Sequence, residues 1–193
     1  MLVADKSALE TQAIFKEAMM AIARPGQLRQ IPIVAAPAEL PTGLAALALA
    51  LCDFETPVWL DSHLASSPAV TDWLRFHTGA PITPNPSDAV FAFAISSDLV
   101  PELSDFAQGT DENPDRSTTL VMGVDNLSNG PGWTLAGPGV NGVEQLKTSP
   151  LRSGFMAERA ALSKQFPRGM DVFFVAGTTL AALPRSTQIV EGD

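Results

Sequence analysis

The sequence predicts an α/β layered domain built on a mixed sheet. Segments with helical spacing alternate with short β-branched or aromatic runs, and the alternation gives way to hairpin chemistry towards the C-terminus. One helix is apolar on nearly every face, so a sheet or a partner chain must cover it.

The elements follow in order. Ser7 and Glu10 have capping-box spacing, and Phe15, Met19 and Ile22 then recur at helical intervals. Arg24-Pro25-Gly26 stops that helix, and residues 30–34 read as a short extended piece. Residues 42–52 form the apolar helix. A turn at residues 53–56 leads into a strand at 57–60, and a helix at 68–77 places Val70, Trp73, Leu74 and His77 on one face. Three prolines in the six residues 81–86 break the helical pattern.

Residues 90–95 read as a strand, and Ser97-Asp98 caps a short helix towards Phe106. Residues 118–124 read as another strand. Turn chemistry at 126–132 then predicts that Trp133 to Ala136 returns as its hairpin partner. An amphipathic helix spans 151–166, with Phe155, Leu162 and Phe166 on one stripe. A strand at 171–176, a tight turn at Gly177-Thr178 and a second run at 180–183 close the pattern. No composition shift marks a boundary, so one domain over residues 1–193 is expected. Its flexible parts are expected at residues 109–116 and in the tail from Gln188.

Composition narrows the functional classes. Twelve basic against 21 acidic residues give a formal charge of −9, a sign that repels nucleic acid and anionic lipid. Charges at Asp5, Lys6, Glu10, Lys16 and Glu17 interrupt any signal-peptide core, and the longest uncharged apolar stretch, 43–52, is too short to span a bilayer. A single cysteine, Cys52, fits a reducing compartment, so a cytoplasmic location is expected.

Chemistry-bearing constellations are scarce. The histidines are His63 and His77, and with Cys52 they form no metal-ligand spacing. Cys52 has no local histidine and reads as a small buried hydrophobe. No Gly-x-Ser-x-Gly elbow occurs. Gly137-Pro138-Gly139-Val140 lacks a following Lys-Ser or Lys-Thr and reads as a turn rather than a phosphate cradle. Lys147 and Lys164 are the lysines weighed as Schiff-base formers, and nothing nearby marks either as desolvated. The candidate anion, ligand or interface residues are Arg75, His77, Arg185 and Ser186, because a guanidinium beside a hydroxyl can hold a carboxylate or phosphate. The competing reading pairs these arginines with the abundant acids, and lets His77 satisfy carbonyls at a helix end.

Five strings, taken in order, resemble the PhnH family of subunits of the bacterial carbon–phosphorus lyase system. They are Phe15 through Arg24-Pro25-Gly26; Asp53-Phe54-Glu55-Thr56-Pro57-Val58-Trp59-Leu60; Leu74-Arg75-Phe76-His77-Thr78-Gly79-Ala80-Pro81; Gly137-Pro138-Gly139-Val140; and Phe166-Pro167-Arg168-Gly169-Met170-Asp171 leading to Leu183-Pro184-Arg185-Ser186-Thr187. The likeness spans almost the whole chain. It departs at Arg168, where the family has an aliphatic residue, and at Ser186, which replaces a threonine and keeps the hydroxyl.

The resemblance implies a three-layer fold similar to pyridoxal-phosphate-dependent transferases, without that cofactor or its lysine. It implies a homodimer that joins the G, I and J subunits of a core complex. That complex exchanges the adenine of ATP for an alkylphosphonate, giving a ribose 1-phosphonate 5-triphosphate. The H-type subunit has no assigned chemistry, and the later radical cleavage belongs to the iron–sulfur J subunit; one cysteine could not hold such a cluster. The expectation is therefore an accessory, non-catalytic subunit of a transferase complex, with no cofactor and no metal. The alternatives are a stand-alone pyridoxal-phosphate-type enzyme and an anion-binding regulatory module.

Overall fold

A computed structural model describes residues 2–190, with side chains described from residue 8 onward. Two sheets organise the described residues. The larger has seven strands: β1 (Arg29–Gln30), β2 (Val58–Leu60), β3 (Ile82–Thr83), β4 (Phe91–Ala94), β5 (Thr119–Gly123), β8 (Asp171–Ala176) and β9 (Thr179–Leu183). Their spatial order is β1-β9-β8-β5-β4-β2-β3. Strands β3, β2, β4, β5 and β8 are parallel to their neighbours, while β9 and β1 add antiparallel, so the sheet is mixed as the sequence predicts. The second sheet is antiparallel, in the order β10-β6-β7, from β6 (Asn126–Ala136), β7 (Glu144–Ser149) and β10 (Gln188–Val190).

Alternation along the central strands sorts side chains to two cores. Val58, Leu60, Phe93, Val121, Phe173 and Val175 point to one face, where α1 (Leu2–Ala23), α2 (Thr42–Leu51), α3 (Ser62–Ala65) and α4 (Pro68–Thr78) cover them. Trp59, Ala92, Ala94, Leu120, Met122, Val172 and Phe174 point to the other. There they meet Leu135 and Leu146 of the small sheet, together with Phe155, Met156 and Leu162 of α5 (Phe155–Ser163). Trp59 packs edge-on against Phe106 on this side, with ring centroids 5.3 Å apart.

Helix α2 is covered within the chain. Leu44 to Ala48 are fully buried against α1, α4 and the sheet. Its Gly43 lies so close to the Gly177 carbonyl and to Val175 that a Cβ would collide with both. Helix α4 is capped at Ser67, whose hydroxyl accepts from the Val70 amide, and ends at Gly79 in the left-handed region, φ 73°.

Several expectations need correction. Helix α1 reaches back to Leu2, five residues before Ser7, so its start is not set by a cap there. Of the extended piece only Gln30 lies in a strand, β1, and the Ile31 amide donates to the Thr178 carbonyl beyond it. Instead of one capped helix towards Phe106, two 3₁₀ turns occur, Ser97–Leu99 and Leu103–Asp105, because Pro101 stands between them. Residues 126–132 are not a turn: with Trp133 to Ala136 they form β6, which pairs with β7 and β10 rather than β5. The Asn- and Gly-rich composition reflects an irregularity between Asn129 and Trp133, where Gly132 lies against β7. A Cβ there would stand 2.5 Å from the Leu146 carbonyl. Helix α5 starts at Phe155, and Phe166 lies beyond its end and is exposed.

Backbone hydrogen bonds occur in both segments expected to be flexible. Gln188 to Val190 pair with Ala136 to Thr134, and residues 191–193 fall outside the described residues. Within 109–116, the Thr110 and Arg116 amides both donate to the Asn113 carbonyl.

Candidate functional site

The structure separates the candidate residues into two places. Helix α4 packs on α2 and α3, whereas Arg185 and Ser186 follow β9; in the sheet β8, β5 and β4 lie between β9 and β2. Arg75 is exposed, 61% by its side chain, and its only ion pair among the described residues is a 3.7 Å contact with the equally solvated Asp72. His77 is also exposed, and its ring stands 4.7 Å from Trp73 and 5.0 Å from Phe76. Phe76 itself is 85% exposed.

Arg185 is instead held within the fold. Its Nη2 donates to Asp171 Oδ2 at 2.7 Å, its Nε to Asp171 Oδ1 at 3.3 Å and its backbone amide to Asp171 Oδ1 at 2.7 Å. Its Nη1 donates to the Pro114 carbonyl. This fork-to-fork geometry lashes three segments together: the first residue of β8, the exit from β9 and the 109–116 loop. Arg168 adds a second tie to the loop, 3.3 Å from Asp111. Ser186 is half-buried in the same turn.

Sequence reasoning missed the residue beneath this turn. Arg159 of α5 is 1% exposed, and its Nη2 donates to the Pro184 carbonyl. Its Nε and Nη1 find no partner among the described residues. Burial pushes its pKa down to about 10; Asp171 opposes that shift and Arg185 reinforces it. The signal available in sequence was weak: an arginine three residues before Leu162 and four after Phe155 lies near the apolar stripe, but long side chains there usually snorkel to water.

A second missed residue is Asp61, which is fully buried at the end of β2. Its Oδ1 accepts from the His63 and Leu64 amides, capping α3, and its Oδ2 accepts from the Ile95 amide at 2.7 Å. The chain leaves β2 towards the helical face, whereas after β4 it leaves towards the opposite one, with Val100 and Leu103 in the second core. Such a divergence between parallel neighbours is where open α/β sheets hold ligands. Here the Asp61 carboxylate bridges the two strand ends by accepting from the Ile95 amide.

Two clefts remain. One of about 300 Å³ lies between α1, α2 and α4, with Ile14, Trp73 and His77 on its walls. The other, about 830 Å³, is bounded by α5, the turn before it, β6 and β10. At its mouth Arg152 forms a two-pronged ion pair with Glu158, at 2.5 and 2.7 Å, and donates to the Pro101 carbonyl. That bond to Arg152 is the main reason the Glu158 carboxyl sits below its ordinary range, helped by the Leu103 amide. Lys164 lines this cleft, whereas Lys147 is exposed on β7.

Cys52 is buried at the end of α2, and burial pushes its thiol up to about 12, away from nucleophilic use at neutral pH. Among the described residues no three His, Cys, Asp or Glu side chains converge as a metal site, and no helix is long and apolar enough to cross a membrane.

Comparison with known proteins places these features. The family model for PhnH, a bacterial phosphonate metabolism protein, matches residues 4–190. The chain belongs to the PhnH family. It is 40% identical over 181 residues to the alpha-D-ribose 1-methylphosphonate 5-triphosphate synthase subunit PhnH of Rhizobium meliloti strain 1021, covering 93% of this chain and 90% of that one. It is also 37% identical over 81 residues to the "Putative C-P lyase subunit protein HtxG" of Stutzerimonas stutzeri, 42% of each chain. Neither likeness supports a stand-alone pyridoxal-phosphate enzyme or an anion-binding regulator.

The PhnH-like strings turn out to be joints of the fold. Phe54 of the second string lies against Gly79 of the third. Gly139 of the fourth abuts Ala23 and Pro25 of the first, at a φ of 82° that only glycine adopts readily. The fifth supplies both Asp171 and Arg185.

Proposed function

We propose that this chain is an accessory subunit of the carbon–phosphorus lyase machinery, supporting formation of alpha-D-ribose 1-methylphosphonate 5-triphosphate from ATP and an alkylphosphonate during phosphonate breakdown. The observation that carries this reading is the 40% identity to a named synthase subunit along nearly the full length of both chains. On this reading the chain assembles with the G, I and J subunits, is a homodimer and uses a fold of the pyridoxal-phosphate transferase type without its cofactor. The acidic composition and single buried cysteine support a cytoplasmic location.

The chain's contribution is shape rather than bond-making. A thiol held at about 12 and an Arg185 occupied by Asp171 support that assignment. Arg75 and His77, exposed beside Phe76, serve an interface in this reading, while Arg185 and Ser186 brace the fold.

Complementation tests the proposal. In a bacterium deleted for its own PhnH gene, this chain is expected to restore growth on methylphosphonate as sole phosphorus source and to copurify with the other core subunits. Expression of folded protein without growth or copurification would refute it.

A further inference from the structure

The cleft beside α5 has features that packing alone does not require. Its volume, about 830 Å³, lies in the range of small-molecule sites. Its floor is apolar, from Met156, Ala160 and Ile189, and Trp133 of β6, a residue 37% exposed, forms part of the wall. Ser153 and Gln188 add hydrogen-bonding groups.

Charge is distributed unusually there. The whole chain carries −9, yet the cleft is lined by Arg152 and Lys164 and by no carboxylate. Glu158 neutralises Arg152, but Lys164 has no ion-pair partner among the described residues. Arg159 of the same helix is not among the residues that line the cleft: it is buried, with its guanidinium turned to the Leu183 and Pro184 carbonyls. Two of its N–H groups are buried and unpartnered. A cleft with low-dielectric walls and one sign of charge concentrates counter-ions of the other sign.

We propose that this cleft binds a small organic anion with a planar or apolar body, its charge against Lys164 and its body against Trp133 and the α5 floor. The site lies apart from Arg75, His77 and Arg185 and stands independently of the accessory-subunit assignment. An aromatic wall beside a cation suits a ligand with both parts; a bare inorganic ion would leave the apolar floor unused.

Phenyl phosphate is the probe, titrated into the full-length chain by calorimetry, with phenol and inorganic phosphate alongside. Saturable binding of phenyl phosphate is expected, at least about tenfold tighter than either fragment, and the Lys164→Ala variant should weaken it about tenfold, equivalent to roughly 1.4 kcal/mol. Lys147→Ala, on exposed β7, should bind as the unaltered chain does. Unfolding midpoints confirm that each variant is folded. Trp133→Leu should remove the ligand-induced change in tryptophan emission. No saturable binding at millimolar phenyl phosphate, equal binding by Lys164→Ala, or equal affinity for inorganic phosphate would overturn the proposal.

Discussion

Asp171 and Arg185 meet through two side-chain contacts and one backbone contact, across the 14 residues that separate the start of β8 from the exit of β9. Both side chains are less than one-fifth exposed, and Arg185 also reaches the Pro114 carbonyl. Removing the guanidinium strands a carboxylate beside the already under-paired Arg159.

Arg185→Ala should therefore cost about 3 kcal/mol of stability, as removal of one partner from a buried ion pair does. Arg75→Ala should stay within about 0.5 kcal/mol, because its partner is solvated. Urea midpoints of the two variants measure the contrast. Equal midpoints would mean that Arg185 is not a brace.

Asp61→Ala should also destabilise, by roughly 2–4 kcal/mol, since three backbone amides lose their acceptor in a buried place. Asp61→Asn should recover only part of this. The amide group can keep one oxygen towards α3 or towards Ile95, but its nitrogen cannot accept at the other. Hydrogen exchange at the Ile95 amide should accelerate in both variants.

Acid sensitivity should trace in part to Glu158. Its folded-state pKa lies below the ordinary 4.5, chiefly through its bond to Arg152. The unfolded chain therefore holds its proton more tightly in that window. The stabilisation is complete above the unfolded value and fades as pH falls through the folded one. Denaturation of Glu158→Gln between pH 3 and pH 7 should show a flatter acid limb than the unaltered chain, and coinciding slopes would contradict the pairing.

Cys52 should resist thiol reagents in the native state. With the thiol pushed up to about 12, little thiolate exists at pH 8, and burial restricts access. A disulfide reagent such as 5,5′-dithiobis(2-nitrobenzoic acid) should label it slowly in buffer and rapidly in denaturant. Fast native labelling would place the end of α2 in an open conformation.

Gly43→Ala should cost roughly 2 kcal/mol, because the added methyl meets the Gly177 carbonyl and Val175. Thermal unfolding is sufficient to read it. An unchanged midpoint would show that α2 can slide along the β8–β9 turn.

The sheet was legible where its physics is local. Residues 90–95, 118–124 and 171–183 are apolar, β-branched and bounded by turn residues, and β4, β5, β8 and β9 lie there within a residue or two. Residues 126–132 misled because Asn and Gly signal turns and irregular strands alike, and only the facing strand tells them apart. The candidate site was less readable. Arg185 stands out in sequence as a candidate ligand residue or the partner of some acid, but that its partner is Asp171 follows from strand register, which composition does not carry. Arg159 and Asp61 escaped because burial of a single charged side chain depends on what the rest of the chain places over it.

Helix α2 has a consequence for assembly. Leu44 to Ala48 are enclosed on all sides by the protein's own segments. The greasiest stretch of the polypeptide is therefore already spent at home, and nothing of it is left to lend. What the surface offers instead is single exterior aromatics such as Phe54 and Phe76, which can be covered and uncovered without opening the interior.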